Sequence, residues 1–152
     1  KIKPDIVMLA KGLANGIPIG ATIAKEEIAS SFKSGDHGST FGGNPVACAA
    51  ANFTVDYIIK NKLINNAKNQ GDYFINKIKS LDPNNVKEIR GKGLMIGIGI
   101  KANAKEIVKK CNEKGLLINS PEDNTLRFLP PLTINEKIID AAIKILNDVL
   151  GK

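Results

Sequence analysis

With 152 residues, 43% of them hydrophobic, the chain has enough apolar material for a folded core and too much for a disordered segment. The formal charge of +7 comes from lysines dispersed along the chain, and aromatic residues make up only 5%, so the composition disfavours a nucleic-acid-binding protein. Cys48 and Cys111 lie far apart and outside any Cys/His cluster, which indicates neither a metal site nor a disulfide framework. With no signal peptide and no membrane-spanning run visible, we expect a cytoplasmic protein that binds neither nucleic acid nor membranes.

The first third of the chain predicts two strands that lead into a long helix. Residues 5–9 form a short continuous apolar run, typical of a buried parallel strand, and Ala21–Ala24 predict a second strand after a Gly-Pro stretch. A short helix is predicted over residues 26–32. Asn44 followed by Pro45 is the signature of a helix N-cap and first turn, so an Ala-rich helix is expected to begin there.

The remainder predicts a small α+β unit. Its second strand alternates glycine with isoleucine, and the glycines at 91 and 93 before it indicate a turn between two strands. The predicted elements are a helix over 63–81, strands over 86–90 and 94–100, a helix over Ala104–Glu113 that ends at Gly115, a strand over 116–119, a turn over 121–124, a strand over 125–129, and a last helix with Ile134 on its apolar face and a capping box of Thr133 and Glu136.

Lys11 differs from the other lysines in its surroundings. The 22 basic residues include only two arginines, and most of the twenty lysines lie in polar stretches that predict solvated helix faces. Lys11 instead follows the apolar residues 6–10 and opens a glycine-rich stretch, which predicts a position at the mouth of a strand, where α/β sheets bind ligands. Burial would lower the pKa of its amine and small neighbours would leave space for a flat ligand, a combination that suggests Schiff-base chemistry with pyridoxal phosphate.

The loop over residues 37–45, HGSTFGGNP, is a candidate phosphate site. It combines hydroxyl groups, glycine backbone N–H groups and the start of a helix, which are the parts of an anion-binding site. An ordinary glycine-rich loop before a capped helix has the same pattern, so the loop alone leaves both interpretations open. His37, the only histidine, is expected to be structural rather than catalytic.

Arg127 is a candidate for carboxylate binding. It alternates with apolar residues in TLRFLPPL, residues 125–132, within a chain that uses lysine for most of its positive charge. The fork of a guanidinium group suits a bidentate carboxylate, which could belong to a substrate or to an internal acidic residue. Arg90, in RGKGLM, is expected to be a structural turn residue.

Taken in order, these motifs resemble the class-III, fold-type I pyridoxal-phosphate aminotransferases. The segment over residues 1–21, KIKPDIVMLAKGLANGIPIGA, is similar to the cofactor-lysine segment of that family, and HGSTFGGNP is similar to its loop across the dimer interface. RGKGLMIGI, residues 90–98, and TLRFLPPL are similar to two hallmarks of the small C-terminal domain. The resemblance covers essentially the whole chain.

The resemblance implies a role for each candidate residue. Lys11 would hold pyridoxal 5'-phosphate as a Schiff base and later move a proton between substrate and cofactor. In a homodimer, Thr40 would bind the phosphate of the neighbouring subunit's cofactor, and Ser39 would approach the substrate. Arg127 would clamp the α-carboxylate of glutamate or 2-oxoglutarate. The implied reaction moves an amino group from N2-acetylornithine to 2-oxoglutarate in arginine biosynthesis; ornithine and 4-aminobutyrate, used by related members, stay open as donors.

The resemblance also implies a fold and a limit. It predicts an α/β chain in which residues 1–58 end a large cofactor-binding domain and include a linking helix, while residues 59–152 form a small C-terminal α+β domain. The family's aspartate for the pyridine nitrogen lies upstream of the cofactor lysine, and this sequence opens at Lys1. We therefore expect a C-terminal fragment that is inactive alone and associates through exposed apolar surface. A cofactor-free Schiff-base lyase and a non-catalytic truncated module remain alternatives.

Overall fold

In the computed structural model, which describes residues 2–82 and 84–151, the chain divides into two units after Asn61. Unit 1 spans Lys1–Asn61 and unit 2 spans Lys62–Lys152. Within the described ranges, no helix combines the length and the apolar character needed to cross a membrane. Unit 1 contains β1 (Ile6–Leu9), a 3₁₀ turn (Lys11–Ala14), β2 (Ala21–Ala24), α1 (Glu26–Ala29) and α2 (Pro45–Lys60).

The two strands of unit 1 pair with each other in antiparallel fashion. Ile6 lies opposite Ala24 and Leu9 lies opposite Ala21. The prediction of a buried parallel strand at residues 5–9 is therefore wrong, and Met8 is 81% exposed. A continuous apolar run indicates that a strand suits burial on both faces, but it carries no information about the direction of the neighbouring strand. Here the chain turns back through the 3₁₀ segment and pairs with itself.

The predicted helix over residues 26–32 is shorter in the structure and ends at Ala29. The hydroxyl group of Ser31 donates a hydrogen bond of 2.7 Å to the backbone carbonyl of Ile28. Serine side chains that bond to nearby backbone groups compete with helix continuation, which accounts for the early end.

Helix α2 begins where the sequence predicts. Asn44 is its N-cap, and the Asn44 side-chain oxygen accepts hydrogen bonds from the backbone N–H groups of Val46 and Ala47 at 3.0 and 3.2 Å. Pro45 occupies the first helical position, where its missing N–H costs nothing. The helix contacts the 3₁₀ turn, and the buried residues of these two elements are alanines, which allow a close approach.

Unit 2 contains α3 (Leu63–Lys79), β3 (Val86–Lys92), β4 (Met95–Ile100), α4 (Ala104–Glu113), β5 (Asn119–Glu122), β6 (Thr125–Phe128) and α5 (Glu136–Leu150). Its strands form a four-stranded antiparallel sheet in the order β3-β4-β6-β5, which shares one hydrophobic core with the three helices. The isoleucines of β4, Ile96, Ile98 and Ile100, are all 0% exposed. Phe74 and Phe128 meet edge to face, with ring centroids 5.3 Å apart.

Helix α4 ends as predicted. Gly115 has a φ of +84°, and its N–H donates to the carbonyl of Asn112 while the N–H of Leu116 donates to that of Cys111. These two bonds form a Schellman motif, for which glycine is the preferred residue because the position is left-handed. Both cysteines are free thiols, and burial raises the pKa of Cys111.

Two boundaries in unit 2 differ from prediction. The strand expected over 116–119 and the turn expected over 121–124 are replaced by β5 at Asn119–Glu122 and a two-residue turn at 123–124. The N-cap of α5 is Asn135 rather than Thr133, since the side-chain oxygen of Asn135 accepts the N–H of Ile138 at 3.2 Å. An N-cap residue must directly precede the first helical residue, which is Glu136. Ile134 thus precedes the helix and lies 6% exposed in the core.

Candidate functional site

Lys11 lies two residues beyond the end of β1, at the first position of the 3₁₀ turn. The preceding residue, Ala10, is extended, and Lys11 itself has a φ of +55°. A left-handed conformation costs a residue with a Cβ on the order of 1–3 kcal/mol and is often found at functional positions. Lys62 has the same conformation between α2 and α3, so positive φ by itself does not single out Lys11. The distinguishing feature is its position at the end of a strand.

The structure contradicts the expected burial of Lys11. Its residue surface is exposed, and its amine makes no hydrogen bond or ion pair with the described residues. Among the described residues of unit 1, the buried hydrophobic side chains are alanines, and Ala14 is the only buried residue of the 3₁₀ turn that carries Lys11. The amine is therefore accessible to solvent and to a ligand.

The loop before α2 is built from two consecutive turns. The N–H of Gly42 donates to the carbonyl of Ser39 at 3.2 Å, and the N–H of Asn44 donates to that of Phe41 at 3.3 Å. Gly43 has a φ of +69°, which favours glycine at that position. The first turn leaves the side chains of Ser39 and Thr40 exposed to solvent.

The start of α2 contributes less to a phosphate site than the sequence suggests. Two of its first backbone N–H groups, those of Val46 and Ala47, already donate to the side chain of Asn44. A capped N-terminus offers fewer free donors to an anion. Ser39 and Thr40 carry the hydroxyl groups of this loop, and both residues are exposed.

Arg127 lies on β6 in unit 2 and is half-buried. Its Nε donates a hydrogen bond of 3.0 Å to the side-chain oxygen of Asn119, which lies directly opposite on β5. Within the described part of the chain, Arg127 forms no ion pair, so the structure provides no internal carboxylate for it. The sequence left two carboxylate partners open for Arg127, a substrate or an internal acidic residue. No acidic residue pairs with it among those that the structure describes.

Arg90 is a structural residue, as predicted, but lies on β3 rather than in a turn. Its guanidinium group pairs with Glu88 and lies 4.0 Å from the carboxylate of Glu122. It also donates to the hydroxyl group of Thr125 at 3.3 Å. Arg90 thus ties both edges of the sheet together and is already neutralised by acidic neighbours.

The predicted site residues fall into the two units. Lys11, Ser39 and Thr40 belong to unit 1, where the 3₁₀ turn that carries Lys11 packs on the helix that follows the Ser39–Thr40 loop. Arg127 belongs to unit 2. Sequence reasoning missed Asn119, because the misplaced turn at 121–124 concealed that this residue pairs with Arg127.

The chain belongs to the class-III aminotransferase family. The family model for Aminotransferase class-III matches residues 1–150. Enzymes of this class depend on pyridoxal phosphate. The match therefore agrees with the resemblance carried by the four sequence motifs.

Similar proteins include aminotransferases that are named for two different substrates. The acetylornithine aminotransferase of Aquifex aeolicus (strain VF5) is 49% identical over 149 residues, which cover 98% of this chain and 38% of that enzyme. The ornithine aminotransferase of Macrococcus caseolyticus (strain JCSC5402) is 40% identical over 152 residues, which cover 99% of this chain and 38% of that enzyme. The crystal structure of acetylornithine aminotransferase from Elizabethkingia anophelis matches with a TM-score of 0.93 at 35% identity, over 98% of this chain and 41% of that one. The chain thus spans about two fifths of the relatives' length.

Proposed function

We propose that this chain is part of an aminotransferase that moves the amino group of N2-acetylornithine to 2-oxoglutarate, a step of arginine biosynthesis. The observation that carries the proposal is the placement of Lys11 at the end of β1, on a strained turn packed against the helix that follows the Ser39–Thr40 loop. The acetylornithine aminotransferase of Aquifex aeolicus aligns with the chain through this whole segment.

Lys11 is proposed as the catalytic lysine. Its exposed primary amine is the nucleophile that a carbonyl-bearing cofactor requires, and no described acidic residue pairs with it. When bound, pyridoxal phosphate supplies the electron sink that stabilises negative charge on the substrate carbon. The Nζ of Lys11 would also be the base that takes and returns the proton at the amine-bearing carbon of the substrate.

Thr40 and Ser39 are proposed as binding residues that act in a homodimer. Their hydroxyl groups are exposed on a turn that projects before α2, so they are free to reach a group outside unit 1. Thr40 would donate to the phosphate of the neighbouring subunit's cofactor, and Ser39 would approach the substrate. A dimer of this kind, located in the cytoplasm, is part of the proposal.

Arg127 is proposed as the clamp for the α-carboxylate of glutamate or 2-oxoglutarate. Arg127 is half-buried as a residue and forms no ion pair with the described residues, so its guanidinium group can donate two parallel hydrogen bonds to a ligand carboxylate. Arg90, which already pairs with Glu88, is not available in the same way.

The experiment that tests the proposal uses a chimaera. Residues 1–150 replace the matching part of the Aquifex aeolicus enzyme, and transfer from acetylornithine to 2-oxoglutarate is measured with added pyridoxal phosphate. We expect activity in the chimaera, loss of at least about a thousandfold in Lys11→Ala, and little change in Lys25→Ala, a lysine of unit 1 that pairs with Asp5. The 152-residue chain alone is expected to be inactive. An active Lys11→Ala chimaera would refute the assignment.

Ornithine is the second candidate donor. The ornithine aminotransferase of Macrococcus caseolyticus is 40% identical and aligns with 99% of this chain, so the same motifs accompany a different substrate name. Comparing kcat/KM of the chimaera for ornithine and for acetylornithine distinguishes the two. A higher value for free ornithine would replace the proposed donor and leave the reaction class unchanged.

A further inference from the structure

The pairing of β5 with β6 is irregular beside Arg127. β5 and β6 pair at Glu122 opposite Thr125 and at Asn119 opposite Arg127. Because one strand advances by three residues while the other advances by two, β5 contains one extra residue between these pairs, a β-bulge. Without the bulge, Ser120 would lie opposite Arg127. The bulge therefore brings Asn119 to the position across from the guanidinium group.

The sequence explains why the bulge is in this place. Pro121 lies inside it, on the edge strand of the sheet, and proline has no N–H to donate to the ladder. Prolines within sheets occur at edges and at bulges for this reason. Bulges are common beside active sites, where they redirect a side chain.

The side chain of Asn119 bonds to one particular nitrogen of Arg127. Its oxygen accepts from Nε at 3.0 Å, which leaves Nη1 and Nη2 as the pair available to a carboxylate. An amide at this point fixes the plane of the guanidinium group without neutralising its charge. Arg90 shows the contrasting case, because its guanidinium group pairs directly with the carboxylate of Glu88.

We propose that Asn119 is a positioning residue for Arg127, holding Nε so that Nη1 and Nη2 face the carboxylate of an amino-acid or 2-oxo-acid substrate end-on. This inference rests on the proposed role of Arg127. It adds a residue that touches no substrate and acts through the guanidinium group. Directly opposite residues on antiparallel strands are close enough for such a contact.

The first test measures the bond itself in the 152-residue chain. The chain has only two arginines, so ¹⁵N spectra give two Nε–H signals, and Arg90→Lys assigns them. We expect Asn119→Ala to speed hydrogen exchange at Arg127 Nε about fivefold, the equivalent of one modest hydrogen bond. Asn119→Asp, which keeps an acceptor, should leave exchange slow, and Asn112→Ala, an exposed asparagine on α4, is the matched control. Unchanged exchange in Asn119→Ala would overturn the proposal.

The second test measures substrate binding in the chimaera. Asn119→Ala is expected to raise KM for 2-oxoglutarate about fivefold with kcat nearly unchanged, because a carboxylate contact is weakened. Asn119→Asp should raise KM further, since its charge competes with the substrate for Arg127, although it preserves the bond seen by exchange. We thus expect Asn119→Ala to have the larger effect on exchange and Asn119→Asp to have the larger effect on KM. If Asn119 is merely structural, the same variant will have the larger effect in both measurements, and that result would contradict the proposal.

The Arg127→Lys chimaera separates the two levels of inference. If Arg127→Lys raises KM for 2-oxoglutarate and Asn119→Ala does not, only the positioning role fails. If Arg127→Lys leaves KM unchanged, the proposed role of Arg127 itself fails, and the role of Asn119 fails with it.

Discussion

Unit 1 and unit 2 treat their apolar residues in opposite ways. In the described part of unit 1, the buried hydrophobic residues are the alanines Ala14, Ala47 and Ala51. Unit 2 instead fully buries large side chains from its sheet and helices, including Ile98 and Leu146. Met8 in β1, at 81% exposure, shows how far unit 1 departs from that pattern.

The difference separates the unit with a large buried core from the unit that carries Lys11, Ser39 and Thr40. Unit 2 has a continuous core that its own sequence specifies, whereas unit 1 displays apolar strands together with Lys11, Ser39 and Thr40. Contiguous exposed apolar surface is the expected state of a face that binds another protein surface. The cooperative unfolding of this chain should therefore report on unit 2, and changes in unit 1 should affect it little.

The largest expected effect is the loss of a central core side chain. Ile98→Ala should lower the free energy of unfolding by about 2–5 kcal/mol, because the side chain is fully buried in β4 and leaves a cavity. Urea unfolding followed by circular dichroism measures the change. The matched variant Ile23→Ala, at a residue 57% exposed in β2, should change it by less than about 0.5 kcal/mol. Equal losses would contradict the comparison of the two units.

A glycine in α3 provides the next test. Alanine normally favours a helix over glycine, but a Cβ at Gly71 would overlap the backbone of Gly93 in the turn between β3 and β4. We therefore expect Gly71→Ala to destabilise unit 2 by about 1–3 kcal/mol. Asn69→Ala, at an exposed position of the same helix, should stabilise slightly. Melting temperatures of the two variants should move in opposite directions, and a stabilised Gly71→Ala would refute the close packing.

The cap of α5 gives a smaller effect. Asn135→Ala removes the acceptor for the N–H of Ile138 and should cost about 1 kcal/mol. Thr133→Ala removes a side chain that does not cap the helix in the structure and should cost less than about 0.5 kcal/mol. Urea midpoints of both variants measure the difference; a larger loss at Thr133 would restore the capping box that the sequence suggests.

The smallest expected effect depends on pH. Hydrogen bonds from Lys77 and Tyr73 lower the pKa of Asp140 below its ordinary value of 3.8. The bond between Lys77 and Asp140 also raises the pKa of Lys77 above 10.5. The stabilisation from Asp140 is thus complete above pH 3.8 and is lost as the pH falls through its folded-state pKa, while that from Lys77 is lost only as the pH rises past its own.

The variant Asp140→Asn tests this. Its urea midpoint should lie below that of the parent chain at neutral pH, and the gap should close in strong acid. Asp56→Asn in α2, an exposed residue that pairs with Lys60, is the control in unit 1 and should leave the midpoint of unit 2 unchanged at both pH values. A gap that persists in acid would show that the loss at Asp140 is not electrostatic.

Local signals predicted much of the fold. Asn44 and Pro45 start α2 and Gly115 ends α4 as predicted, because each signal depends only on neighbouring residues. The direction of β1 and the bulge in β5 depend on partner strands, which a local pattern does not encode.

For the candidate site, local signals indicate where a residue lies along the chain but not what surrounds it. The motif around Lys11 indicates its position after a strand, yet its exposure depends on what covers β1, a tertiary property. Residue type and setting make Arg127 a candidate for carboxylate binding, and that role stays a prediction. Its partner Asn119 follows only from the register of the hairpin, which the extra residue beside Pro121 shifts by one.

The central claim is that Lys11 holds the cofactor, and covalent trapping tests it most directly. The chimaera is incubated with pyridoxal phosphate, reduced with borohydride, digested and mapped by mass spectrometry. We predict a single pyridoxyl-phosphate adduct on Lys11, absent from the unreduced sample and lost in Lys11→Ala. An adduct on another lysine, with the Lys11 peptide unmodified, would contradict the account.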